Sequence, residues 1–242
     1  MKVKYILPVI FLSPLVLGFS IKGHYWITHK SFQHLPTIMN AFQERYERPV
    51  LYSVPPYYMY PDIYEPSHAN EKLAKQAQSH FNKLVKYLTE EQWSAAEVEI
   101  GYLAHYAGDA ASPTQNSPET WGQIDDTYDL IVDLYLKEIE LDPDFQEPQL
   151  IDNIYQYLLA RCHQSASLSD SLVNIYHQSN SHQEIWSKSK SIFEKQVNLA
   201  VRDLRNILFS AWDLAGRPAS FTSGGGCTAW PKIFSPHFLI KS

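Results

Sequence analysis

Apolar residues recur at helical spacing along most of this chain, and strict alternation, the mark of a half-buried strand, is absent. GHYWITHKSFQHLPTIMNAFQERY, from Gly23 to Tyr46, has this spacing and stops before Pro49. The next stretch, VLYSVPPYYMYPDIYEPSH, is dense in Pro and Tyr and reads as a loop. ANEKLAKQAQSHFNKLVKYL then puts Leu73, Ala77, Phe81, Leu84 and Leu88 on one face. Thr89 starts TEEQ, a capping-box pattern that predicts a helix opening there and running to about Ala110. Pro113 and Pro118 bracket a loop, and a helix from about Gln123 to Ile139 follows. Two or three further helices fill the region from Gln149 to Ala215, and the end from Arg217 is irregular. With no internal repeat, these elements predict a single all-α domain of many helices around one core.

Composition narrows the class. The 242 residues suffice for one sizeable core, and 45% apolar against 19% charged residues is the balance of a folded chain. A net charge of -6 argues against a broad nucleic-acid surface and leaves room for a small site that handles a phosphate. Aromatic residues reach 14%, which helix packing accounts for.

The N-terminus predicts export. In MKVKYILPVIFLSPLVLGFS, Lys2 and Lys4 precede an uncharged run from Tyr5 to Gly18. That run is short for a membrane span and holds Pro8 and Pro14, so a cleaved secretory signal is the better reading. A cut before Phe19 follows the small residues Val16 and Gly18; a cut after Ser20 also fits. The expected organisation is a signal over residues 1–18, a helical metal-binding domain over 19–216, and an irregular tail over 217–242. The expected location is secreted or periplasmic. In that setting Cys162 and Cys227 could pair and tie a helix end to the tail, or stay as two separate thiols.

Several side chains are candidates for chemistry, each with a plainer reading beside it. His105 and Asp109 stand four apart in HYAGDAASPTQ, so both project from one helix face and can reach a shared metal. The plainer reading is a buried hydrogen-bonded pair. Asp125 and Asp129 repeat the spacing, with Asp126 and Asp133 extending the acidic face; a solvated acidic helix start is the alternative there. His24 could be a surface residue at a helix start, Asp62 a turn former, and His80 a satisfied core histidine.

Taken in order, these signals resemble the zinc-dependent phospholipase C superfamily, which includes the fungal single-strand nucleases. The order is an aromatic at the processed N-terminus, GH, PD in a loop, SH, a helix bearing HxxxD, then a proline and an acidic pair four apart. FSIKGH is similar to the start of the nuclease branch; HYWITHKSF, HYAGD and AKQA are similar to the phospholipase branch. The resemblance covers about Phe19 to Asp133. It implies an all-α fold of that family's type and two zinc positions bridged by Asp109. Phe19 and His24 would complete one, and Asp62, His68 and His105 the other. His80, inside SHF, rivals His68 because the same tripeptide occurs in the family.

Two family histidines are replaced here, by Gln115 and Asp125, while Asp129 keeps the last carboxylate. The third position then offers oxygen atoms only, a set for Ca²⁺ or Mg²⁺, or one left empty. The resemblance implies a secreted phosphodiesterase, first of all a phospholipase C with Asp62 binding metal or acting as base. Its substrate would be a phospholipid or another phosphodiester. The aromatic loop YSVPPYYMY could form an apolar lip at a membrane surface or a stacking surface for a base, and no stable nucleic-acid partner is expected. The alternatives are a nuclease on the same scaffold, and a non-catalytic relative acting as a binding or effector protein.

Overall fold

The computed structural model describes residues 19–43, 47, 49, 53, 70–117, 124–142 and 147–218. Among these, the regular structure is helical and contains no strand. The helices are α1 (Ile21–Gln33), α2 (Asn40–Gln43), α3 (Glu71–Thr89), α4 (Trp93–Ala111), α5 (Asp125–Tyr135), α6 (Ile154–Ala166), α7 (Ser169–His177) and α8 (His182–Leu214). Short 3-10 turns cover Thr37–Met39 and Leu136–Glu138. None of the described helices is long and apolar enough to cross a membrane. The signal segment, Asp62, His68 and Cys227 lie outside the described residues.

α4 is the hub. It reads WSAAEVEIGYLAHYAGDAA, and nearly every residue is buried because neighbours surround it: α3, α8, α6 and α1 all pack on it. Small residues at Ala96, Ala104, Ala107, Gly108 and Ala111 let those helices approach closely. One apolar cluster joins α3, α4, α6 and the C-terminal half of α8 through Phe81, Leu84, Leu103, Leu158, Leu204 and Leu208. A second joins α1, α5, α7 and the earlier part of α8 through Ile27, Tyr128, Ile131, Leu172, Phe193 and Val197. α4 ends where the two clusters meet, with Ala107 and Ala110 in the first and Ala111 in the second.

Two local expectations change. The run from Gly23 to Tyr46 is broken after Gln33, because Pro36 offers no N–H and disfavours helix at Leu35; a 3-10 turn and the short α2 follow. TEEQ does not open α4. Thr89 is the last residue of α3 and its hydroxyl donates back to the Val85 carbonyl at 2.9 Å, so it is spent inside the preceding helix. Glu91 takes a positive φ of 55° in the tight turn before Trp93. Cys162 is a free thiol, fully buried in the first cluster, and burial pushes it up to about 12. Its sulfur is enclosed by packed helices, and Cys227, the other end of the possible clasp to the tail, lies outside the described residues.

Two further helical expectations agree with the structure. The apolar stripe of α3 is buried at Ala77, Phe81, Leu84 and Leu88, and three helices occupy the region from Gln149 to Ala215.

Candidate metal centre

α1 begins at Ser20, whose hydroxyl accepts from the Gly23 N–H at 3.1 Å and so caps the helix. The same hydroxyl donates to Asp133 of α5. This fixes the entry of α1 against α5 and places His24 one turn in. His24 is 1% exposed. Its ring lies over Gly108 of α4: a β-carbon there would stand 2.8 Å from His24 Cε1 and Nδ1. Only glycine leaves room for that ring, which explains the G of HYAGD. Phe19 is buried beside it, edge-on to the His24 ring at 6.4 Å between centroids.

His105 and Asp109 are buried on the face of α4 that meets His24. The His105 and His24 rings are 4.5 Å apart and tilted by 30°. His105 Nε2 is 3.0 Å from Asp109 Oδ2, and His24 Nε2 is 3.3 Å from Asp109 Oδ1. The contact to Oδ1 lacks hydrogen-bond alignment, and His24 Nδ1, His24 Nε2 and Asp109 Oδ1 are buried without a hydrogen-bond partner. Ligand atoms from the three residues all lie within 4.8 Å of one another. Most buried polar atoms in proteins are paired, and here the unpaired ones of two residues converge on a point, which marks a place for a ligand.

Protonation suits a metal. Burial first, then the charge of His105, lowers His24, which leaves its ring neutral with a lone pair to give. Burial alone would raise Asp109; His105 and His24 outweigh it and hold the carboxyl well below the usual range. His105 Nδ1 is 3.0 Å from the Ser53 carbonyl, an acceptor, so Nδ1 carries a proton and Nε2 is the nitrogen turned to Asp109. Imidazole nitrogens and an ionised carboxylate are donors that zinc takes.

The acidic set lies alongside. Asp125 is not a solvated helix start: it is 1% exposed. Burial raises its carboxyl to about 7, with Asp126 and Asp109 adding to the rise and Thr114 opposing it. Partly buried Asp129, one turn on, is raised well above the ordinary range by burial and by Asp125, Asp133, Asp126 and Asp109. Gln115 Nε2 is 3.4 Å from Asp125 Oδ2, and Asp125 Oδ1 is buried without a partner. Asn116 secures the loop: its amide reaches the carbonyls of Asp109 (2.6 Å), Ala110 (3.2 Å) and Ser112 (2.7 Å), and Ser165 Oγ on α6 (3.0 Å).

The structure thus brings together Phe19, His24, His105 and Asp109, and beside them Gln115, Asp125 and Asp129. His80 is engaged elsewhere. It pairs with Glu99 across the α3–α4 contact at 2.5 Å, and its ring packs on Tyr102 and Tyr106. Its position is that of a satisfied core histidine. Gly108, Ser20, Ser53 and Asn116 were not singled out from the sequence. Gly108 was readable within HYAGD, but a backbone carbonyl such as that of Ser53 leaves no mark on a sequence. Comparison with known proteins finds no matching family model and no matching curated relative.

Proposed function

We propose that this chain is an exported, zinc-dependent phosphodiesterase of phospholipase C type, acting on phospholipid head groups. The observation that carries the reading is the convergence of His24, His105 and Asp109 on one buried point, with unpaired ligand atoms facing it. The order of motifs around HYAGD adds the reaction class. Zinc held at such a point supplies a Lewis acid and a water of lowered pKa.

The chain's own residues have defined parts in this reading. Asp109 stays ionised and offers an oxygen to each side of the cluster. The Ser53 carbonyl orients the His105 ring. Gly108 admits the His24 ring, and Phe19 closes the site against the core. Asp62 and His68 would complete the ligand set, Asp62 also serving as base.

A second reading is a non-catalytic relative that keeps a metal for structure or binding. It is favoured by the Gln115–Asp125 contact, which joins the two positions where family histidines are replaced. Metal content and hydrolysis together separate the readings. Purified chain processed to Phe19 should carry zinc, lose it in Asp109→Ala, and hydrolyse phosphatidylcholine in mixed micelles. Zinc without hydrolysis of phosphatidylcholine or single-stranded DNA supports the non-catalytic relative. Cleavage of DNA alone supports the nuclease. A chain free of zinc rejects the zinc-dependent enzyme.

A further inference from the structure

The outer face of α3 carries an inference that holds whether or not the chain hydrolyses a phosphodiester. We propose that this face is an electrostatic docking surface for a membrane containing anionic phospholipid, which it meets with a straight row of lysines.

The row follows from the helix period. α3 buries Ala74, Ala77, Phe81, Leu84 and Leu88 against its neighbours. At 3.6 residues per turn, Lys72, Lys75, Lys83 and Lys86 fall within about 80° of arc on the opposite side and span roughly 21 Å along the axis. Lys75, Lys83 and Lys86 are exposed, and Lys72 is half-buried. Gln76, Ser79 and Asn82 fill the exposed positions between them. No acidic residue occurs from Lys72 to Thr89.

An ordinary solvated helix face mixes its charges, and α8 does so here. Lys188 pairs with Glu184 at 2.7 Å and Lys190 with Glu194 at 3.5 Å, each four residues away. On α3, Lys75 meets Glu71 at 3.4 Å at the helix start, with both side chains largely in solvent. Among the described residues, no carboxylate stands within ion-pair distance of Lys83 or Lys86. The helices packed on α3 add none: α6 has no acidic residue, and Glu97 and Glu99 of α4 are buried. Glu90 and Glu91 follow the helix end, so acid bounds the row and does not interleave it. Like charges on adjacent turns weaken a helix, and Lys72 opposes the dipole in the first turn. Folding therefore gains nothing from this arrangement, and a partner of opposite charge does.

The partner must be met locally, because the whole chain carries a net charge of -6. Charges beyond about 8 Å are screened at physiological salt, so a surface that touches only this row meets positive potential. A membrane does so along a straight row, and its mobile head groups can gather under each ammonium. Nucleic acid is held by arginine forks and aromatic stacking, and the row has neither. Lysine is a compact point charge suited to a diffuse anionic layer. No apolar side chain stands in the row to insert among acyl chains, so attachment is reversible and salt-sensitive.

The test is cosedimentation of the full processed chain with vesicles of phosphatidylcholine, alone or with about 30% phosphatidylglycerol. The expected result is binding to the anionic vesicles only, lost as salt rises to about 0.5 M. Lys75→Glu, Lys83→Glu and Lys86→Glu together should weaken binding by about a hundredfold, roughly fivefold for each lysine removed. The same three changed to Gln serve if the reversed variant does not fold. Lys137→Glu, Lys188→Glu and Lys195→Glu together change the net charge equally at exposed positions elsewhere and should leave binding in place. Asp109→Ala should bind as the parent does, so failure of the enzyme reading and of this one are read separately. Four outcomes overturn the proposal: no binding to anionic vesicles at low salt; equal binding to phosphatidylcholine alone; equal effects of the α3 variant and the control variant; or row-dependent binding of DNA that displaces the vesicles.

Discussion

Two regions of this molecule bury charge, and they do it in opposite ways. Where α6 meets α8, Arg161 donates to both oxygens of Asp203, from Nε at 2.5 Å and Nη2 at 2.9 Å. Tyr157 donates to the same carboxylate at 2.6 Å, and Asn206 donates to the Tyr157 hydroxyl at 3.2 Å. Asp203 has both oxygens occupied, and nothing in the network points to a ligand. Where α1 meets α4, His24 and Asp109 are just as deeply buried but keep atoms with no hydrogen-bond partner. The first arrangement is complete as protein and holds two helices together. The second leaves polar atoms open among the described residues, in an arrangement that could hold a metal ion. Burial of polar groups does not by itself identify a site; unfinished hydrogen bonding at a shared point does.

That contrast is open to test. The largest expected effect is at the unfinished centre: Asp109→Ala should lose zinc entirely, measured as metal per chain, while the helical circular dichroism spectrum persists. The reverse pattern is expected at the finished centre. Asp203→Ala strands Arg161 in the core and should cost about 3–5 kcal/mol in denaturant unfolding, with zinc content per folded chain unchanged. Zinc loss in that variant would show that the two regions are not separable.

A smaller effect is expected from Gly108→Ala. Its new methyl would meet the His24 ring at 2.8 Å, and the ring must shift. Zinc affinity should fall by about tenfold, with stability lowered by roughly 1–3 kcal/mol. Equal stability and equal affinity would mean that the ring has another place to go.

The smallest effect concerns pH. Asp125 is raised to about 7 in the folded chain, above an unfolded aspartate at about 4. The folded state therefore holds the extra proton between those values, and the metal-free protein loses stability as pH rises through that window. Asp125→Asn should flatten this fall and raise the melting temperature at pH 8 in the presence of chelator. A slope unchanged by the substitution would assign the effect to another group.

Much of the helical layout was legible because it depends on neighbours in sequence. The stripe on α3 and the HxxxD of α4 follow from a period of 3.6 residues. TEEQ misled because a capping box and a helix C-terminus use the same residues: Thr89 satisfied its hydroxyl within α3, and no local signal tells which helix it serves. Likewise His68 and His80 were rivals by motif alone. The structure uses His80 in a pair with Glu99, a residue two turns before the candidate site on α4, which no spacing rule links to it.

The sequence by itself determined that the chain is helical, that α4 is apolar on nearly every side, and that His105 and Asp109 share a face. These are consequences of backbone geometry and of which side chains avoid water. Only the tertiary structure decided that the start of α1 crosses α4 at Gly108, so that His24 meets His105 and Asp109. It alone also decided that Asp125 is buried and not solvated. Both depend on the angles and close approach of helices far apart in the chain. Those are set by the fit of small residues against large ones, a property of surfaces in contact that no single segment contains.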